Sequence, residues 1–313
     1  GSFAVPIKWD SSEPIAVWTF QTYKSLGAAL LGICWWISYG SPWISLEVWM
    51  IGVVSTIFWV PAGAAAITSY KLIGLAWTQT GMSCVIILAN VAWGVLFFKE
   101  HFASSGWVGL GLLLLGLACV TKAQLFDETV SIALKSLSRD LGEGEATDAT
   151  VFKPRWREGI TTVVLGGCWG GSSLVPTRYL PQGPELYSQY MATFGCGAVL
   201  VSLALSSLQS CIYRTPFLPG FWKLRWRGSL AGIVWAVGHA NSVIAIKGVG
   251  GKGGLGLAIG VTGAQTALLI AGLWGILKFN EVKNTRPRML WFGGAAIVLM
   301  GMMLLVSSKE DSR

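Results

Sequence analysis

Lysine is costly inside an apolar run, and Lys24 stands in one, at 15–38, three residues after Gln21. That spacing puts the ammonium and the amide on one helical face. Either the pair binds a hydroxyl-rich or anionic solute, or Lys24 snorkels to an interface. Gln189 holds the corresponding place in a later run, 186–212. Gln79, Ser83 and Asn90, spaced by four and seven, form a stripe along the run at 74–98. Such a stripe lines a cavity or hydrogen-bonds to a neighbouring helix. Thr262, Gln265 and Thr266 offer the same two readings in the run at 255–278. His239 lies four residues after Trp235 and three before Ser242. It is a packing residue, a partner for a solute hydroxyl, or a proton shuttle. Trp59 and Trp235 present flat apolar faces, to a solute ring or to neighbouring helices. The candidate binding set is therefore Gln21, Lys24, Trp59, Gln79, Asn90, Gln189, Trp235, His239 and Gln265.

No catalytic or metal-binding residue, and no cofactor, is expected. HExxH, GxSxG and GxxxxGK[ST] are absent, and none of the six cysteines shows CxxC spacing. Acids stand only at the ends of apolar runs, as with Glu100 and Glu281. At a helix C-terminus the dipole disfavours them, so they serve a gate salt bridge or are solvated. Proton coupling through a mid-membrane carboxylate has no candidate, which favours a facilitator or exchanger. Pro6 and Pro176 break or end helices, and Lys8 and Arg178 beside them read as interface anchors.

The elements that carry these residues follow from composition. Hydrophobic residues make up 53% of the 313 and charged residues 12%, where a soluble domain carries about 25% charged. Such a chain cannot coat itself with charge, so lipid must solvate most of it, and an integral multi-pass membrane protein is expected. The net charge of +8 sits in short loops, as topology signal and headgroup contact, not as a nucleic-acid surface. Apolar runs long enough to span a bilayer fall at 15–38, 46–69, 74–98, 106–122, 159–177, 186–212, 228–248, 255–278 and 289–307. Trp18, Trp43, Trp107, Trp222, Trp226 and Trp291 lie near their ends, as interfacial aromatics do. Basic residues such as Lys71, Arg214, Lys223 and Arg286 place one set of loops in the cytoplasm.

The chain also repeats itself. GVVSTIFWVPAGAAAITSYKLIG (52–74) falls on GSLAGIVWAVGHANSVIAIKGVG (228–250) at a shift of 176, which brings Trp59 onto Trp235. WGVLFFKE (93–100) matches WGILKFNE (274–281), and GSFAVPIKW (1–9) matches GSSLVPTRY (171–179). An apolar stretch precedes the second copy of that last motif and not the first. About a dozen further residues are thus expected before Gly1, making ten spans. Five spans per half give two halves of opposite orientation. The expected fold is an all-α membrane protein of ten transmembrane helices in two inverted five-helix repeats, the first helix truncated. Its parts are a first repeat at 1–122, a polar linker at 123–158, a second repeat at 159–307 and a polar tail at 308–313.

On GSFAVPIK (1–8), GSSLVPTR (171–178), GIVWAVGHANSVIAI (232–246) and GLWGILKFNE (272–281), the chain resembles the drug/metabolite transporter superfamily. Within it, the resemblance is to the glucose/ribose-uptake branch and the transmembrane-protein-144-like carbohydrate transporters, over nearly the whole chain. The resemblance implies alternating access with a sugar-like solute as partner, beside the lipid bilayer and without nucleic acid. Two rivals remain: a carrier of an anionic solute such as a sugar phosphate or nucleotide-sugar, which Lys24 suits, and a non-transporting scaffold or sensor.

Overall fold

The computed structural model describes residues 16–73, 75–101, 103–140, 155–248, 254–277 and 284–310, and every regular element among them is helical. In chain order these are α1 (Val17–Ser38), α2 (Leu46–Ile73), α3 (Leu75–Ala92), α4 (Ser104–Asp140) and α5 (Trp156–Gly171). There follow α6 (Pro184–Tyr213), α7 (Phe221–Lys247), α8 (Leu257–Gln265), α9 (Ala267–Leu277) and α10 (Thr285–Glu310). A π-helical turn, Trp93–Phe97, closes α3, and a 3-10 segment, Ser172–Tyr179, closes α5.

Among the described residues, six helical stretches are long and apolar enough to cross a membrane: Leu46–Ile73, Trp77–Phe97, Ser104–Ala123, Pro184–Tyr213, Phe221–Lys247 and Thr285–Ser308. Their outer faces carry large apolar side chains such as Leu96, Phe97, Leu200 and Met303. Lipid is the solvent that tolerates such a surface, and the chain is an integral multi-pass membrane protein. The other helices differ for local reasons. Thr19, Gln21, Thr22, Lys24 and Ser25 are buried on α1, so that helix is polar where it meets protein. The run at 255–278 is one apolar stretch by composition, yet it breaks at Thr266 into α8 and α9.

Two sequence expectations meet a different structure. α4 continues past residue 122 to Asp140, so the polar stretch beginning at 123 starts as helix. Trp291, read as an interfacial aromatic, is buried and packs in the core that joins α4, α8 and α10. The first repeat's opening motif at 1–9 and Glu281 lie outside the described residues.

Close packing rests on small residues, as between helices in lipid it must. α1 packs mainly against α6 and α7. A Cβ on Gly232 of α7 would strike the backbone of Lys24, and one on Gly32 of α1 would strike that of Met191 on α6. α4 and α10 run antiparallel, with Gly109 against Gly301 and Gly116 against Gly294. α2 holds Pro61 in its interior. Proline has no N–H to give the carbonyl of Ile57 four residues back, and the indole of Trp169 on α5 donates to that oxygen at 2.9 Å.

Candidate solute cavity

A cavity of about 740 Å³ lies among α1, α2, α3, α5, α7, α8 and α9. Six of the nine sequence candidates line it: Lys24, Trp59, Gln79, Trp235, His239 and Gln265. Asn90 and Gln189 are buried away from it. The Asn90 amide donates to the Ile86 carbonyl at 2.7 Å, one turn back on its own helix. Gln21 is fully buried behind the wall formed by Gly63.

Lys24 does not snorkel. Its side chain points inward, with Nζ 4.7 Å from the centre of the Trp59 ring and 5.4 Å from that of Trp235. A desolvated ammonium against indole faces is stabilised by roughly 2 kcal/mol. The two indoles touch each other, with centroids 4.2 Å apart. His239, one turn along α7 from Trp235, stacks on it at 4.5 Å. Phe194 of α6 packs against Trp59, Trp235 and His239, and Tyr190 lies a turn before it. The result is an aromatic wall with one ammonium on it.

The cavity's other polar lining groups are uncharged. The Tyr70 hydroxyl donates to Gln79 Oε1 at 2.8 Å, and Ser83 Oγ to Gln265 Oε1 at 3.0 Å. Of the stripe on α3, Gln79 and Ser83 line the cavity while bonding to neighbouring helices, and Asn90 does neither. Thr266 also lines the space; its hydroxyl donates to the Gly263 carbonyl at 2.6 Å, at the break between α8 and α9. Among the described lining residues Lys24 is the one charged side chain, and no carboxylate faces the space. Among the described residues no cluster of His, Cys, Asp or Glu could hold a metal ion. None of the six cysteines lines the cavity, and Cys34, Cys168 and Cys211 are exposed on outer helix faces.

Two features of this region were missed in the sequence. One is Tyr190, whose hydroxyl shares a hydrogen bond of 3.1 Å with His239 Nε2. A buried tyrosine hydroxyl needs a partner, so a tyrosine next to Gln189 in an apolar run was the available signal. The second is what Glu100 holds. After the π turn the backbone reverses at Lys99 (φ 53°). The reversal swings the Glu100 carboxylate beneath the start of α8, where the Leu257 and Ala258 amides donate to it at 2.8 and 3.1 Å. Gly94 and Gly256 leave room for it, because a Cβ on either would fall within 2.8 Å of a carboxylate oxygen. Arg178 Nη1 stands 3.9 Å away, and its guanidinium lies over Phe98 at 5.6 Å. Lys247 Nζ donates to the Arg178 carbonyl, and Tyr187 Oη to that of Gly248. The ends of α3, α5 and α7 and the starts of α6 and α8 are thereby tied together at one end of the cavity.

No family model matches the chain. It is 24% identical over 277 residues to a protein of Lactiplantibacillus plantarum named "Putative sugar uptake protein", spanning 88% of this chain and 85% of that one. It is 23% identical over 293 residues to the glucose uptake protein GlcU of Bacillus subtilis, spanning 92% and 88%. Over 158 residues, 48% of this chain, it is 22% identical to transmembrane protein 144 homolog A of Dictyostelium discoideum. A solved crystal structure shares its fold with a TM-score of 0.59 at 13% identity, covering 100% of this chain and 94% of the other.

Proposed function

We propose that this chain is a secondary transporter that carries a sugar-like solute by alternating access, and that the cavity is where the solute sits. The observation that carries the reading is the cavity's make-up: two indoles in contact and uncharged hydrogen-bonding groups on the same lining. A sugar offers the complementary pair of surfaces, C–H faces that pack on aromatic rings and hydroxyls that both donate and accept. The names of the bacterial relatives point to the same solute class.

Two inverted five-helix halves are the mechanical part of the proposal. Supporting it, Trp59 and Trp235, matched by the sequence repeat, meet beside the cavity with their ring planes tilted by 37°. Gly109 and Gly116 are seven residues apart and so are Gly294 and Gly301, and each glycine of one pair meets one of the other. A two-fold axis that exchanges the halves would exchange these contacts.

Lys24 favours a second reading, in which the solute carries an anionic group. Uptake into proteoliposomes against a panel of labelled neutral sugars, sugar phosphates and nucleotide-sugars separates the two. Flux of neutral sugars that persists in Lys24→Gln supports the first reading. Flux of anions only, abolished by that substitution, supports the second. A correctly folded protein that moves no solute overturns transport altogether and leaves the scaffold.

A further inference from the structure

Gln21 is 0% exposed, and neither its amide oxygen nor its amide nitrogen has a hydrogen-bond partner. A glutamine amide can donate two hydrogen bonds and accept two. Leaving all of them unmade in a membrane protein's interior costs free energy that an apolar side chain of equal size would avoid. Packing alone therefore does not account for glutamine at this position.

The amide is one residue's thickness from the cavity. It occupies the space where a side chain at position 63 would stand: a Cβ there would lie 2.8 Å from Gln21 Cδ and 2.9 Å from Nε2. Gly63 itself lines the cavity, as does Lys24, one helical turn from Gln21 on α1. Glycine at 63 thus leaves the wall thin at the point where an unpartnered donor and acceptor lie behind it. The repeat makes the choice specific. At the shift of 176, position 63 corresponds to His239, whose ring fills the matching place and takes the Tyr190 hydroxyl as its partner. One half of the molecule closes this position with a satisfied side chain, and the other leaves only a glycine between the cavity and an unpartnered amide.

We propose that Gln21 is a specificity-determining residue, its amide pairing with two adjacent hydroxyls of the solute in the state of the transport cycle that parts α1 from Gly63 of α2 and uncovers it. This rests on the transport reading and names the group the site selects. An amide presents an acceptor and a donor side by side, and a vicinal diol offers the matching donor and acceptor. A solute lacking either hydroxyl would leave half of the amide unpaired, and discrimination of this kind is steep.

The test uses the full chain in proteoliposomes, with radiolabelled D-glucose and its singly deoxygenated isomers as probes. Gln21→Met keeps the side chain's length and removes its polarity. The expected result is a melting temperature in detergent equal to or above wild type, with half-saturation for glucose raised tenfold or more and maximal flux little changed. For one or two deoxy isomers the wild type should be weakened and Gln21→Met should add no further loss, because the two changes delete the same contact. Should Gln21→Met fail to fold, Gln21→Asn, which withdraws the amide by one methylene, is read in the same way. Wild-type transport with unchanged half-saturation in the folded variant overturns the role of Gln21 and leaves transport standing. A wild type that carries neither these probes nor any solute of the panel above overturns both.

Discussion

Replacing Glu100 with alanine should destabilise the protein more than any other single removal of charge. The carboxylate accepts two backbone N–H bonds at the start of α8, at 2.8 and 3.1 Å. Bonds to an ionised group contribute roughly 1.5–3 kcal/mol each. Arg178 adds less than about 1 kcal/mol, since at 3.9 Å, with its side chain 38% exposed, it is a screened and loosely held partner. The carboxylate's own side chain is 12% exposed, so water can replace part of what is lost, and the net cost falls near 3 kcal/mol. Glu100→Gln keeps an acceptor oxygen and forfeits the charge facing the positive end of the helix, which costs about 1 kcal/mol. The variants should therefore rank wild type, Gln, Ala in stability. Thermal unfolding in detergent, followed by tryptophan fluorescence, should show Glu100→Ala melting on the order of 5 °C or more below wild type. A shift of under about 2 °C, or Gln falling as far as Ala, would refute the claim that the carboxylate holds α8.

Two further outcomes follow from packing and from the aromatic wall. Gly116→Leu should prevent α4 from seating on α10, because a Cβ there already falls 2.7 Å from the backbone of Gly294 and Val298. Loss of the folded fraction on size-exclusion chromatography checks this, and a monodisperse variant of wild-type stability would contradict it. Tyr190→Phe deletes the partner of His239 Nε2 and should cost about 1–2 kcal/mol. No change in melting temperature would mean that the hydroxyl and the imidazole do not depend on each other.

The helices were legible because a bilayer imposes a minimum length on an apolar run. The runs at 46–69, 106–122 and 186–212 lie within α2, α4 and α6. The same rule is blind to breaks inside a run, so nothing in the composition of 255–278 announces the discontinuity at Thr266. It is equally blind to helix that leaves the membrane. The residues after 122 mix both signs of charge and read as linker, yet AQLFDETVSIALKSL is rich in good helix formers. In the cavity, polar residues within apolar runs were easy to see because burying them is costly, which is how Lys24, Gln79 and His239 stood out. Phe194 and Gly63 carry no such signal. An aromatic or a glycine in a membrane helix is ordinary, and only the fold shows that one packs on both indoles and the other leaves the wall thin. Glu100 stood out as an acid at the wrong end of its own helix. That it serves the right end of another helix, α8, depends on a backbone reversal no spacing rule encodes.

The placement of the cysteines has a practical consequence. With none on the cavity wall, a single cysteine substituted there would be the one thiol that a water-borne, membrane-impermeant reagent meets inside the protein. Labelling of the unsubstituted chain, which reports the exposed Cys34, Cys168 and Cys211, supplies the background to subtract. After that subtraction, adding the reagent from either face of the membrane in turn would report which way the cavity is open.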